Sequence, residues 1–141
     1  MKSRTLARVV ALQTLYELDL TNHSLGITLE DRAMENDLEE NQYEFAMALV
    51  RGVRENSQKL DELITAHAPE WPLDQIAVVD RNILRMALWE LAIYKKTPLK
   101  VGINEAVELA KSFGTDSSPR FVNGVLGSLA GILDKTAGKL I

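Results

Sequence analysis

The strongest constraint on the fold is spacing. Along most of the 141-residue chain apolar residues recur every three to four positions, and the alternation of a half-buried strand is absent. Residues 79–96 are the most apolar stretch. Ile83, Leu84, Met86, Ala87, Leu88, Trp89, Leu91 and Ile93 cover most of a helix circumference, as in a central, buried helix. Lys95, Lys96 and Pro98 end it. Residues 3–20 carry two apolar stripes, Val9–Leu12–Tyr16–Leu20 and Ala11–Leu15–Leu18, which predict a first helix packed from two sides. Asn22 to Gly26 reads as a turn, and the acidic stretch to Glu40 as loop with a short helix. Residues 41–55 read as a helix, and Asn56-Ser57 can cap a short one before Pro69 and Pro72 break the chain. The next helix stops at Gly114 after Phe113. For the last, Ser118 reads as N-cap and Pro119 as first helical residue, with Val122, Val125, Leu126, Leu129, Ile132 and Leu133 as its core stripe. The tail, 135–141, is expected to fray. The expectation is an all-α fold in a single domain, 1–141.

Charge narrows the functional classes. The net charge is −4, but Glu30 to Glu44 holds seven acids and one base, a local −6, so the remainder is +2. An acidic segment on a basic remainder leaves nucleic-acid binding open. No cysteine is present, which excludes a disulfide scaffold and a Cys-ligated metal and fits a cytoplasmic protein. Glu17 and Asp19 interrupt the apolar run after the basic start, so no signal peptide is expected. No stretch approaches the roughly 18 apolar residues of a membrane span.

The residue pattern carries no enzyme signature. His23 and His67 are isolated, without metal-ligand spacing, and no nucleophile elbow, Walker or dinucleotide-binding pattern occurs. No catalytic residue, metal or cofactor is expected. Arg4 and Arg8 lie one turn apart at the start of the first helix, where cations oppose the helix dipole; phosphate is one group that would offset this. Phe121, beside Arg120, sits about 40° from Val125 around the last helix. It reads either as core or as a ring on which a base stacks. Arg85 interrupts the most apolar helix and needs a carboxylate, with Glu105 and Glu90 as candidates. Gly124, Gly127 and Gly131 share the face opposite the last helix's core stripe. They suit either close backbone approach, within the chain or to a second copy, or merely a weak helix.

Three runs resemble the NusB family: Asp80-Arg-Asn-Ile-Leu-Arg-Met-Ala-Leu-Trp-Glu-Leu, Val101-Gly-Ile-Asn-Glu-Ala-Val-Glu-Leu-Ala-Lys-Ser-Phe-Gly114 and Arg120-Phe-Val-Asn-Gly-Val-Leu126. The opening Arg8-Val-Val-Ala-Leu-Gln-Thr-Leu-Tyr16 is similar to that family's first helix. The resemblance spans about residues 4–133 and is weakest over the acidic segment. The same module also fronts a ribosomal-RNA cytosine methyltransferase. The Lys111-Ser112-Phe113-Gly114 ending and the absence of room for a catalytic domain favour the free-standing factor. The resemblance implies two packed helical bundles and a non-enzymatic transcription antitermination factor. It implies as partners single-stranded boxA RNA, the small-subunit ribosomal protein NusE and the RNA polymerase antitermination complex; the glycine face of the last helix adds a homodimer as an alternative assembly. By position it implies RNA-facing roles for Lys2, Arg4, Arg8, Tyr16, Asp80, Arg81, Ser117, Arg120 and Phe121. The family's arginine-rich start is thinned here to Arg4 and Arg8, which predicts weak RNA binding without the ribosomal partner.

Overall fold

A computed structural model describes residues 3–68 and 70–136, with side chains for 4–68 and 70–133. The described residues contain helices and no strand. The chain divides into two compact units, residues 1–55 and 56–141.

The first unit holds α1 (Ser3–Leu20), α2 (Leu25–Glu35) and α3 (Glu40–Glu55). Both α2 and α3 pack on α1, so the two stripes of α1 have two helical neighbours, as the spacing predicts. Val10, Ala11 and Leu15 are buried, and Leu29 and Ala33 of α2 and Phe45, Leu49 and Val50 of α3 are buried with them. Tyr16 and Leu20 leave the core and are exposed.

The acidic segment is more ordered than expected. The Ser24 hydroxyl accepts the Ile27 N–H and caps α2, which runs for 11 residues. Its end is a Schellman motif: Leu38 N–H donates to Ala33 C=O and Asp37 N–H to Met34 C=O, with Asp37 left-handed at φ 52°. Composition understated this helix, because seven acids read as loop with a short helix while the cap and the inward side chains Thr28, Leu29 and Ala33 fix 11 residues.

The second unit holds α4 (Ser57–His67), a 3₁₀ turn (Leu73–Gln75), α5 (Val78–Leu88), π-helical turns (Trp89–Tyr94), α6 (Leu99–Phe113) and α7 (Ser118–Thr136). The apolar stretch 79–96 is therefore two elements. Lys95, left-handed at φ 62°, donates its N–H five residues back to Glu90 C=O. Trp89 and Tyr94 stack with centroids 5.3 Å apart. Five residues at α-helical pitch would leave those rings about 140° apart, so the wider turn is what brings them together.

Arg85 is gripped by a carboxylate that sequence reading did not name. Its Nε donates to Asp61 Oδ1 at 2.7 Å and its Nη2 to Asp61 Oδ2 at 3.0 Å, tying α5 to α4. Neither candidate, Glu105 nor Glu90, supplies this bidentate contact, because spacing along one chain does not show which helix lies alongside. Glu90 is itself buried and accepts the Thr97 hydroxyl.

The start of α7 differs from expectation by one residue. Phe121 N–H donates to Ser117 C=O at 3.1 Å, which makes Ser117 the N-cap. Ser118 is already inside the helix and buried; its hydroxyl accepts the Thr115 N–H at 2.9 Å. Gly114 is required here by close approach, since a Cβ would lie 2.4 Å from Ser118 Oγ. The core stripe of α7 is buried from Val122 to Leu133 except for Ile132, which is exposed. Gly124, Gly127 and Gly131 face open space, with nothing within 4 Å of an added Cβ. Close backbone approach among the described residues is thereby excluded. The helix continues through Thr136, past the expected fraying point; residues 137–141 lie outside the described residues.

Candidate nucleic-acid interface

Four of the C-terminal residues singled out by sequence line one open pocket of about 350 Å³: Asp80, Ser117, Arg120 and Phe121, with Trp71, Gln75, Ile76 and Ala77. The first turns of α5 and α7 supply it. Arg81 N–H donates to Ala77 C=O, so Asp80 falls in the first turn of α5, where the helix dipole favours a carboxylate. Ser117 caps α7, and Arg120 and Phe121 come from its first turn. Arg120 is exposed, Phe121 is half-buried and Trp71 is 51% exposed. The pocket thus offers aromatic faces, a cation and a carboxylate around an apolar floor.

Asp80 is the most constrained of these groups. It is 8% exposed, and its Oδ1 has no hydrogen-bond partner among the described residues. Burial pushes its carboxyl above the usual aspartate range, and the hydrogen bond from Ser118 partly offsets this. A buried, half-satisfied acceptor lining a pocket is what a donor-bearing ligand would complete.

Arg81 has a different place. It does not line the pocket; its Nη1 donates at 3.2 Å to the carbonyl of Leu73, in the 3₁₀ turn between Trp71 and Ile76. It holds the loop that carries the pocket's other wall.

In the N-terminal unit, the Arg4 guanidinium lies 4.0 Å above the Phe45 ring centroid and that of Arg8 lies 5.3 Å away. Phe45 is buried. Arg4 is exposed, whereas Arg8 is only 5% exposed. One turn of helix therefore separates a cation at the surface from one committed to packing. Tyr16 is 42% exposed. Lys2 lies outside the described residues. Sequence pattern missed Trp71, Phe45 and Asp61. For Trp71 the signal was present in the Trp71-Pro72 pair, a large ring where the chain is broken.

His23 and His67 play local roles. His23 Nδ1 lies 2.7 Å from Glu17 Oε2, and His67 Nδ1 lies 3.2 Å from Ser128 Oγ. The hydrogen bond to His23, with the charge of Arg32, lowers the Glu17 pKa against a smaller opposing effect of desolvation. No group of three or more His, Cys, Asp or Glu suited to a metal occurs among the described residues. No described helix is long and apolar enough to cross a membrane.

The NusB family matches residues 5–131. The chain belongs to the NusB family. The transcription antitermination protein NusB of Dehalococcoides mccartyi strain CBDB1 is 45% identical, covering 97% of this chain and 96% of that protein. The Bacillus subtilis strain 168 protein of the same name is 42% identical over 96% of this chain and all of its own length. Among solved structures, T. maritima NusB superposes with a TM-score of 0.85 at 34% identity, covering 98% of this chain and 95% of that one. A complex of the antitermination factors NusB and NusE with double-stranded RNA gives 0.84 at 28% identity, covering 94% and 98%. Both NusB relatives are named transcription antitermination proteins.

Proposed function

We propose that this chain is a transcription antitermination factor. It binds single-stranded boxA-type RNA together with the small-subunit ribosomal protein NusE and joins the antitermination complex on RNA polymerase, supporting ribosomal RNA transcription in the cytoplasm. The observation that carries this reading is the pocket between the first turns of α5 and α7, which gathers Asp80, Ser117, Arg120 and Phe121. The curated relatives support the antitermination role by name, and a similar solved structure joins NusB to NusE and RNA.

In this reading a base stacks against Phe121, with Trp71 as a further aromatic surface, an arrangement worth about 1–3 kcal/mol per stacked base. Asp80 Oδ1 accepts an N–H from that base, and Ser117 and Arg120 hold the adjoining phosphate. Arg4, with Lys2 and Tyr16, supplies contacts from the N-terminal unit. Arg8 orients Phe45 beneath Arg4, and Arg81 orients the 3₁₀ turn; both support the RNA-facing residues. So few phosphate ligands mean weak binding by the chain alone, strongly salt-dependent, and tightened by NusE's own contacts.

The test is a titration of boxA-like single-stranded RNA against a scrambled strand, with and without NusE. The expected result is weak selective binding alone and marked tightening with NusE. Equal affinity for both strands in the presence of NusE would contradict the reading.

A further inference from the structure

A second surface lies in the N-terminal unit, where α2 ends and α3 begins. Glu30, Ala33, Met34, Asp37, Leu38, Glu40 and Tyr43 line an open groove of about 560 Å³ there. Within it Met34, and beside it Ile27, are unusually exposed for a helix that also buries an inner face. Met34 is 76% exposed and Ile27, one heptad earlier on the same side of α2, is 66% exposed, while Thr28, Leu29 and Ala33 face inward. Apolar side chains on both sides of one short helix mean that packing on α1 uses only half of them.

The rim is acidic. Glu30, Asp37 and Glu40 line the groove, and Asp31, Glu39 and Glu44 follow in the same stretch. None of these six carboxylates forms an ion pair among the described residues. The stretch's one base, Arg32, is paired with Glu17 and Glu35. The groove is held open by structure: the Schellman turn at Asn36 and Asp37 fixes the angle at which Leu38 follows Ala33.

We propose that this groove docks a cationic segment of a partner protein, one that places apolar anchors on Met34, Leu38 and Tyr43 and lysines or arginines on the acidic rim. Charge complementarity selects the occupant. A phosphate backbone is repelled by the same carboxylates that attract a basic peptide, so RNA is disfavoured at this face. The spacing of Ile27 and Met34 suits the i, i+3, i+4, i+7 anchors of an amphipathic helix, and an exposed methionine adapts to such a face. The groove shares no residue with the RNA pocket and differs from it in charge.

The test uses the full chain and a short labelled peptide of lysines and leucines, with the leucines at helical i, i+3, i+4 and i+7 spacing. A control of identical composition has the leucines scattered. Anisotropy gives the affinities, and the ¹³C-labelled methyl signal of Met34 reports the site. The patterned peptide is expected to bind roughly tenfold tighter than the control and to shift the Met34 methyl. Met34→Ser should remove the preference, with folding checked by circular dichroism. The combination Glu30→Gln, Asp37→Asn and Glu40→Gln should weaken both peptides. Equal binding of the two peptides, an unmoved Met34 signal, or normal preference in Met34→Ser would overturn the proposal. So would a Met34 shift caused by single-stranded RNA, or by raising the protein concentration alone, which would assign the groove to nucleic acid or to a second copy.

Discussion

Glu17 and Asp80 are driven in opposite directions by their surroundings. In the N-terminal unit Glu17 receives the His23 ring and faces Arg32, and its pKa is lowered. In the C-terminal unit Asp80 is buried with one oxygen unpartnered, and its pKa is raised. The same contrast holds for the cations. Arg8 is sunk against Phe45, while Arg120 stands exposed at the lip of a pocket. Around Glu17 the chain completes its charges from its own residues. Around the pocket it leaves a buried acceptor, an exposed cation and two accessible rings for something else to complete. That asymmetry, more than basic composition, marks the pocket as the proposed recognition site.

The comparison is broken most severely by removing the ion pair that ties α4 to α5 in the C-terminal unit. Asp61→Ala leaves the Arg85 guanidinium, 13% exposed, without its bidentate carboxylate. The expected loss is about 2–4 kcal/mol of stability, toward the lower end because both side chains keep some solvent. Chemical denaturation measures it, and a loss under 1 kcal/mol would mean that the pair contributes little to joining α4 and α5.

Arg8→Ala sharpens the N-terminal side. If Arg8 packs rather than binds, the variant loses about 1–2 kcal/mol of stability, while the salt dependence of RNA binding keeps its slope. A stable variant with a slope lowered by about one would restore Arg8 as a phosphate ligand.

The two carboxylates give a smaller effect with a definite sign. Glu17 has a lowered folded pKa, so its contribution is present above the ordinary glutamate value and is lost as pH falls through the folded value. Asp80 has a raised folded pKa. Stability therefore declines as pH rises from the ordinary aspartate value through the raised one. Asp80→Asn should gain on the parent as pH rises through that window, and Glu17→Gln should lose most at neutral pH. Melting temperatures against pH follow both, and parallel profiles for Asp80→Asn and the parent would remove the case for a strained carboxyl.

Much of this was legible in the sequence, and the failures have physical causes. Apolar period located α1, α3, α4, α6 and α7, because each buries a stripe against neighbours. It showed only a short helix in the acidic stretch, and not the extent of α2, because the cap and inner face are hidden among acids, and it missed the π-helical turns because period cannot show a left-handed Lys95 or a Trp89–Tyr94 stack. The site was legible as residue types: Asp80, Ser117, Arg120 and Phe121 were named from their motifs and line one pocket. What the motifs could not supply was tertiary: that Arg8 is buried on Phe45, that Ser118 turns inward and leaves Ser117 as the cap, and that Trp71 joins the wall. Asp61 as a partner of Arg85 was missed for the same reason, since it lies 24 positions away on another helix.

The central claim is that the C-terminal pocket reads bases by stacking while Arg4 contributes charge. It is tested most directly by the salt dependence of boxA-like RNA binding in Phe121→Ala and Arg4→Ala, with NusE present. The account predicts that Phe121→Ala gives a line parallel to the parent's, displaced by about 1–3 kcal/mol, because stacking releases no counterions. Arg4→Ala should lower the slope by about one. A Phe121→Ala variant that binds RNA normally but is destabilised would return the ring to the core and contradict the account.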